Sequence, residues 1–340
     1  MNELAVVILN WNGKNFLEQF LPKVLEYSNG ARIIVADNAS TDTSIQYLKE
    51  HFSSVEILEN ESNGGFAKGY NDALKRVSAK YYLLLNSDIE VTPNWLDPLL
   101  KCMEDPSISG CQPKVRSFQD QESFEHAGAS GGFMDKNYFP FCRGRIFNEV
   151  EPDQGQYDEP MEVFWATGAA LLVRSELYHQ HKGFDEDFFA HMEEIDLCWR
   201  IKRHGGRFMV VPQSVVYHVG GGTLSYTSPR KVYLNFRNNL MMLIKNHEGL
   251  LFPKLFWRML LDGIAAMKFL FGGEFKNFGA VFRAHLYQYA NLRTLLRKRS
   301  ELKKSATEFN SKGAYTGNIV WAFYGKGIRK FSDLNQRLFK

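Results

Sequence analysis

Cysteine is scarce in this chain of 340 residues: Cys102, Cys111, Cys142 and Cys198 form no CxxC pair and have no zinc-site spacing. That excludes a disulfide scaffold and a zinc ribbon, and isolated thiols of this kind read as the reduced, partly buried cysteines of a cytoplasmic protein. A strand pattern begins at Leu4 with no basic region or cleavage site before it, so no secretory leader is expected. A long apolar run is missing too. The most apolar stretch, residues 250–271, is interrupted by Lys254, Arg258, Asp262 and Lys268, whereas a bilayer span needs about 20 mostly apolar residues. There is no GxGxxG, Walker or GxSxG signature, no Cys/His pair at nucleophile spacing, and no internal repeat or low-complexity segment.

What is present is enough for a large core, with 44% hydrophobic and 23% charged residues. Charge is divided unevenly. Residues 1–249 hold 24 Lys and Arg against 33 Asp and Glu, a net of −9, whereas residues 250–340 hold 17 against 5, a net of +12. The basic segment is also rich in aromatics, which predicts an amphipathic helical extension on an anionic membrane surface. The alternative is that these aromatics pack on the rest of the chain or form a homo-oligomer interface. Nucleic acid is not expected, because no recognised binding motif accompanies the basic run.

Residues 4–10 are a continuous apolar run that reads as a buried strand, and residues 32–36, 55–59 and 81–85 read as further strands. Residues 16–27, 43–51 and 69–77 read as the helices between them. This alternation predicts an α/β fold with a doubly wound, mostly parallel sheet. Residues 114–163 are loop-rich, with glycines and prolines throughout. Residues 163–173 resume a strand-like pattern, and residues 193–204 read as a helix stopped by Gly205-Gly206. Residues 208–211 and 214–217 read as short strands, and everything after Lys231 reads as helix.

In such sheets ligands bind beyond the carboxyl ends of the strands. Here those ends are polar: Asn10-Trp11-Asn12-Gly13, then Asp37-Asn38 and the turn to Asp42, then Asn86-Ser87-Asp88. A carboxylate such as Asp88 after a buried strand suits a hard divalent cation, Mg²⁺ or Mn²⁺, held against phosphate oxygens, although a turn or cap role fits it equally. His218 precedes Gly220-Gly221-Gly222, where backbone is free to approach a phosphate. Glu193, Glu194 and Asp196 open a helix; the macrodipole alone favours acids there, but three in four residues exceed what capping needs. One of them is a candidate general base toward a hydroxyl.

The order of these segments resembles the inverting glycosyltransferases of family 2, with their GT-A fold, and is closest to the rhamnosyltransferase-like branch. The matching segments are VVILNWNG (6–13), VADNASTD (35–42), NGGFAKGYNDAL (63–74), LLLNSD (83–88), ATGAALLVR (166–174), GFDEDFFAHMEEIDLCWRIKRHGG (183–206), VYHVGGGT (216–223) and NFRNN (235–239). The resemblance implies a catalytic domain over residues 1–240 and a helical region over 241–340. It implies nucleotide and donor contacts from Asn10, Asn12, Asp37, Asn38, Gly64, Gly65, Phe66, Gly69, Asn71, Asn86, Ser87, Trp165, Thr167, Gly168 and Arg237. Metal ligation falls to Asp88 and His218, and Glu194 takes the base position, with Glu193 and Asp196 as alternatives. The donor is a UDP- or dTDP-sugar and the acceptor a glycan or lipid-linked hydroxyl of bacterial surface polysaccharide synthesis, on the inner face of the membrane. Two departures stand out: the metal motif reads Asn86-Ser87-Asp88, with an amide for its first carboxylate, and Glu194 replaces the commoner Asp. The QxxRW pattern of processive synthases is absent. A non-catalytic nucleotide-sugar-binding member of the same fold, or a nucleotidyltransferase, remains as an alternative.

Overall fold

The computed structural model describes residues 3–220 and 228–340. The chain opens with β1 (Leu4–Asn10), α1 (Lys14–Tyr27), β2 (Arg32–Asp37), α2 (Ser44–His51), β3 (Glu56–Glu59), α3 (Gly65–Leu74) and β4 (Tyr81–Asn86). β1 lies between β2 and β4, parallel to both, and β2 pairs in parallel with β3. β1, β2 and β4 are apolar on both faces because both faces are covered, whereas the edge strand β3 is partly exposed. Ala5 and Val7 of β1 enter one hydrophobic cluster, and Leu4, Val6 and Ile8 enter the other. Tyr82 and Leu84 of β4 join the first cluster, and Tyr81, Leu83 and Leu85 the second.

Beyond β4 the sheet becomes mixed. β5 (Ile89–Val91), α4 (Leu96–Cys102) and β6 (Ile108–Ser117) follow, and after a long excursion β11 (Met161–Val163), β12 (Ala170–Arg174), α5 (Ser175–Gln180), α6 (Glu193–Lys202) and β13 (Arg207–His218) complete it. Among the described residues the order is β11-β13-β6-β12-β4-β1-β2-β3, with β5 on β13. β12 runs antiparallel to both β4 and β6, while β13 and β6 are parallel. The expected short strands at 208–211 and 214–217 are one strand with a register shift between Val211 and Val215, a bulge at the Pro212 position that cannot donate to the ladder.

The excursion, expected as loop, carries β7 (Gly132–Asp135), β8 (Pro140–Cys142), β9 (Arg145–Ile146) and β10 (Glu149–Val150), which build a second small sheet. Strands of two to four residues leave no periodicity to read. The basic end forms α7 (Pro229–Asn246), α8 (Leu251–Phe271), α9 (Phe275–Ala290) and α10 (Leu292–Ser305). The expectation of helix to the end fails beyond Ser305: there the chain turns back, and β14 (Ala314–Tyr315) pairs in parallel with β7. Phe331 and Phe339 stack on Phe133 and Phe141 of the small sheet, so aromatic packing rather than helix propensity decides this segment. The boundary expected at residue 240 falls inside α7.

Candidate active site

The polar ends of β1, β2 and β4 lie on one rim because the three strands are parallel and in register, Asn10 opposite Asp37 and Leu9 opposite Asn86. Much of this polarity is spent within the protein. The buried Asp37 carboxylate accepts hydrogen bonds from Asn10 Nδ2 at 2.9 Å, Ser40 N at 2.8 Å and Ser40 Oγ at 2.6 Å. Asn12 Oδ1 accepts from Thr41 N at 2.7 Å, and Asn38 Nδ2 donates to Asn63 Oδ1 at 3.0 Å and Gly65 O at 3.1 Å. These side chains fix the loops that frame the rim. Asn10 Oδ1, in contrast, is buried with no hydrogen-bond partner and lies next to Gly13.

α3 begins at this rim. Gly65 has φ +85°, and a β-carbon there would stand 2.5 Å from the Phe189 ring and carbonyl; only glycine fits both constraints. The Phe189 carbonyl accepts from Phe66 N at 2.7 Å and Ala67 N at 3.2 Å, using the first amides of the helix. Gly69 packs on Leu9 and Asn38. Asn71 points the other way: it donates to Phe184 O at 2.9 Å and Glu186 Oε1 at 3.1 Å and accepts from Tyr178 OH at 2.7 Å. Its polar groups are therefore used in holding the segment before α6.

Asp88 and His218 meet as expected. His218, the last residue of β13, pairs with Ile89 across β5, and its Nε2 lies 3.2 Å from Asp88 Oδ1. Its other nitrogen, Nδ1, lies 3.1 Å from Glu125 Oε2. Burial opposes charge on His218, but the two carboxylates outweigh it and push the imidazole up to about 10. Burial likewise opposes ionisation of Glu125, and His218 outweighs it, holding that carboxyl at about 2. Glu125 went unread in the sequence because it lies in an aperiodic glycine-rich loop. Of the glycines that follow His218, Gly221 and Gly222 lie outside the described residues.

Among the described residues no group of three or more His, Cys, Asp or Glu side chains could hold a metal by itself. One carboxylate and one imidazole in contact do fit a cation that takes its remaining ligands from phosphate and water. A carboxylate behind the imidazole is the usual outer partner of a metal-bound histidine.

The acidic helix start resolves into three different carboxylates. Asp196 is fully buried and bound by Arg200 Nε at 2.8 Å, Lys245 Nζ at 2.9 Å and Asn246 Nδ2 at 2.8 Å. Burial opposes its charge, but Lys245 and Arg200 hold its pKa below the usual value. A saturated carboxylate cannot reach an acceptor, so Asp196 is structural. Glu193 is buried, and burial together with the neighbouring Glu194 charge raises its pKa far above the usual range. Glu194 is half-buried, its Oε2 has no partner, and burial raises its pKa to about 7. Desolvation there exceeds the help from nearby amides.

Glu194 faces Gly168. A β-carbon at Gly168 would lie 3.5 Å from Glu194 Cβ and 3.5 Å from Phe66 Cζ. Thr167 is held below by Gln112 Oε1 (2.9 Å to its N) and Ala127 O (2.9 Å from its Oγ1). Trp165 is a core side chain, 4% exposed, donating to Phe133 O at 2.9 Å. The approach to α6 is strained. Phe189, His191 and Met192 have φ of 64°, 71° and 71°, and a non-glycine residue there costs about 1–3 kcal/mol. α7 holds them: Asn238 Nδ2 donates to Phe188 O, Ala190 O and His191 O at 2.7–3.0 Å, and Arg237 donates to Asp187 O at 2.9 Å and Phe188 O at 2.7 Å. Arg237, expected at the donor, thus clamps the loop that delivers Glu194.

The structure thus combines a mixed sheet, an Asp–His pair beyond its strand ends and a carboxylate of raised pKa at the start of α6. Residues 5–164 match the model of glycosyl transferase family 2. The chain is 23% identical over 323 residues to the N-acetylglucosaminyl-diphospho-decaprenol L-rhamnosyltransferase of Mycobacterium tuberculosis, covering 88% of this chain and 97% of that one. It is 24% identical over 223 residues to rhamnosyltransferase WbbL of Escherichia coli, covering 63% and 82%. The solved structure of GalNAc-T7 with UDP, GalNAc and Mn²⁺ superposes with a TM-score of 0.60 at 16% identity, over 91% of this chain and 55% of that one, which establishes a shared GT-A fold. The chain is thus similar to the glycosyltransferases of family 2 over residues 5–164, and to a rhamnosyltransferase over most of its length.

Proposed function

We propose that this glycosyltransferase moves a sugar from a UDP- or dTDP-sugar to a hydroxyl of a glycan or lipid-linked acceptor in bacterial surface polysaccharide synthesis, inverting the anomeric configuration. The observation that carries the reading is Glu194: a carboxylate at the start of α6 with one oxygen unpartnered and a pKa raised to about 7. A base of that pKa is half in the right protonation state at neutral pH and still basic enough to take a proton. Glu193, kept protonated behind it, leaves a single charge on the pair.

The acceptor hydroxyl loses its proton to Glu194 as its oxygen bonds to the anomeric carbon. The bond from that carbon to the diphosphate oxygen breaks on the opposite face, and the nucleoside diphosphate leaves with the electron pair. The transition state has oxocarbenium character, as in glycoside hydrolysis. Asp88 and His218 would hold one divalent cation, Mg²⁺ or Mn²⁺, whose chemistry is to neutralise charge on the leaving diphosphate. Glu125 orients His218 for that task. Gly168 and Gly64 leave room for the donor sugar, and Asn10 Oδ1 offers a buried acceptor beside it. Holding donor and acceptor in line supplies most of the rate. The printed names of the M. tuberculosis and E. coli relatives support a rhamnosyl-type donor and a lipid diphosphate-linked acceptor.

The test is a panel of UDP-, dTDP- and GDP-sugars with Mn²⁺, reading released nucleoside diphosphate with and without a lipid diphosphate-linked acceptor. Acceptor-dependent release from one donor is expected. Donor binding without release from any of them would point to a non-catalytic member instead.

A further inference from the structure

α8 and α9 form an antiparallel hairpin, turned at Gly272-Gly273 and closed where Tyr289 Oη lies 3.8 Å from Met259 Sδ. One face of each helix packs inward: Leu251, Leu255, Arg258, Asp262 and Ala266 of α8, and Asn277, Ala280, Val281, Ala284 and Gln288 of α9. The opposite face of α8 is apolar and bare. Phe252, Phe256, Leu260, Ile264, Met267 and Phe271 recur every three or four residues, and each is 40–83% exposed. α9 repeats the pattern with Phe275, Phe282, Leu286 and Tyr289, each 55–67% exposed. A contiguous apolar stripe on this scale marks a surface that is covered in use.

The surrounding charge indicates what covers it. Lys268, Lys276 and Arg283 are exposed beside the stripes, and the region from residue 250 onward carries a net +12. Of the hairpin's two acidic residues, Asp262 is buried against Arg258 at 3.2 Å and Glu274 stands at the turn, bound by Asn277. Trp321 and Tyr324, 61% and 56% exposed, continue the surface where Lys268 Nζ sits over the Tyr324 ring at 5.6 Å. Among the described residues no helix is long and apolar enough to cross a membrane. Apolar stripes flanked by Lys and Arg, with Trp and Tyr at the margin, are the composition of a helix that lies in a bilayer interface.

We propose that the α8–α9 hairpin is a membrane-docking surface that seats the chain on an anionic lipid bilayer, its two apolar stripes in the headgroup region and its basic residues on lipid phosphates. It rests on the glycosyltransferase reading for its purpose, which is to hold the rim of the cleft where a lipid-linked acceptor emerges. α10 ties that surface to the site: Lys298 Nζ lies 2.7 Å from both Asp185 and Asp187, in the segment leading to α6.

The experiment is flotation of the full chain with phosphatidylcholine vesicles, with and without 30% phosphatidylglycerol. A polar-face variant carries Phe256→Ser, Ile264→Ser, Phe271→Ser and Phe282→Ser; a charge variant carries Lys268→Glu, Lys276→Glu and Arg283→Glu. All seven positions are exposed, so both variants keep the wild-type melting temperature, checked before flotation. Wild type is expected to float with the anionic vesicles only, and the polar-face variant to stay in solution. The charge variant should bind at least a hundredfold more weakly at low salt, at about fivefold per charge removed. Wild type that does not float, or a polar-face variant that floats equally well, overturns the proposal. So does a wild-type dimer by light scattering that the polar-face variant breaks without any vesicle binding, which would assign the face to a second copy. Nucleoside-diphosphate release with a soluble short-chain acceptor, measured on the same samples, separates loss of docking from loss of the catalytic reading.

Discussion

Replacing Glu194 by Gln removes the proposed base and changes almost nothing else. The substitution keeps the side-chain shape beside Gly168 and Phe66 and removes only the capacity to take a proton. Loss of a positioned general base lowers turnover by roughly 10²- to 10⁴-fold, while donor binding is unchanged because the carboxylate does not hold the diphosphate. Stability supplies a second, independent readout. Burial raises the folded-state pKa of Glu194 from the ordinary 4.5 to about 7. A carboxyl raised on folding contributes stability that is fully present below the unfolded value and is lost as pH rises through the folded one. The wild type therefore loses stability between about pH 4.5 and pH 7, by at most about 3 kcal/mol at 1.36 kcal/mol per pH unit. Gln cannot ionise, so the variant escapes that loss, less whatever Glu193 gives back when its neighbour's charge is gone. Thermal unfolding of both proteins from pH 5 to pH 8 should show the variant gaining several degrees on the wild type as pH rises. The wild-type kcat should climb through a limb near pH 7. A variant that turns over within tenfold of wild type, or melting curves that stay parallel across this range, refutes the assignment and returns the role to Glu193.

Other expectations follow from neighbouring contacts. Asp88→Ala should abolish transfer, and chelation should stop the wild type until Mn²⁺ is restored; His218→Ala should be less severe, read as a rise in the Mn²⁺ concentration for half-maximal rate. Glu125→Gln should weaken metal affinity roughly 10- to 100-fold with donor affinity held, checked by Mn²⁺ titration. Asp196→Asn leaves Arg200 a buried charge with no carboxylate, while Lys245 keeps Asp185, so it should cost about 3–5 kcal/mol in denaturant unfolding. Arg237→Ala removes two hydrogen bonds of the clamp, leaving Phe188 O to Asn238 alone among the side chains; it should cost about 2–3 kcal/mol and lower kcat with KM for the donor nearly constant, whereas a donor-contacting arginine would raise KM.

The parallel half of the fold was legible because β1, β2 and β4 are buried on both faces, which leaves apolar runs ending in polar residues at one rim. The metal pair and the acidic helix start were legible as residue types. Their division of labour was not, since it depends on which carboxylate meets Lys245 from α7, 49 residues away, and which meets none. The second sheet was invisible because its strands are too short to show a period. Asn71, Trp165 and Arg237 carry motif positions yet spend their polar groups on backbone or on neighbouring side chains, and only packing reveals that. The reverse holds for α8 and α9: sequence showed aromatics interleaved with basic residues, and only the structure separated the packed face from the bare one.

The central claim is a single displacement at the anomeric carbon with Glu194 as base. It is tested most directly by the anomeric configuration of the freshly transferred sugar, read from its one-bond C1–H1 coupling and compared with that of the donor. The account predicts the opposite configuration in the product, formed by the wild type and by none of the Glu194 variants at a comparable rate. A product that keeps the donor's configuration would contradict it.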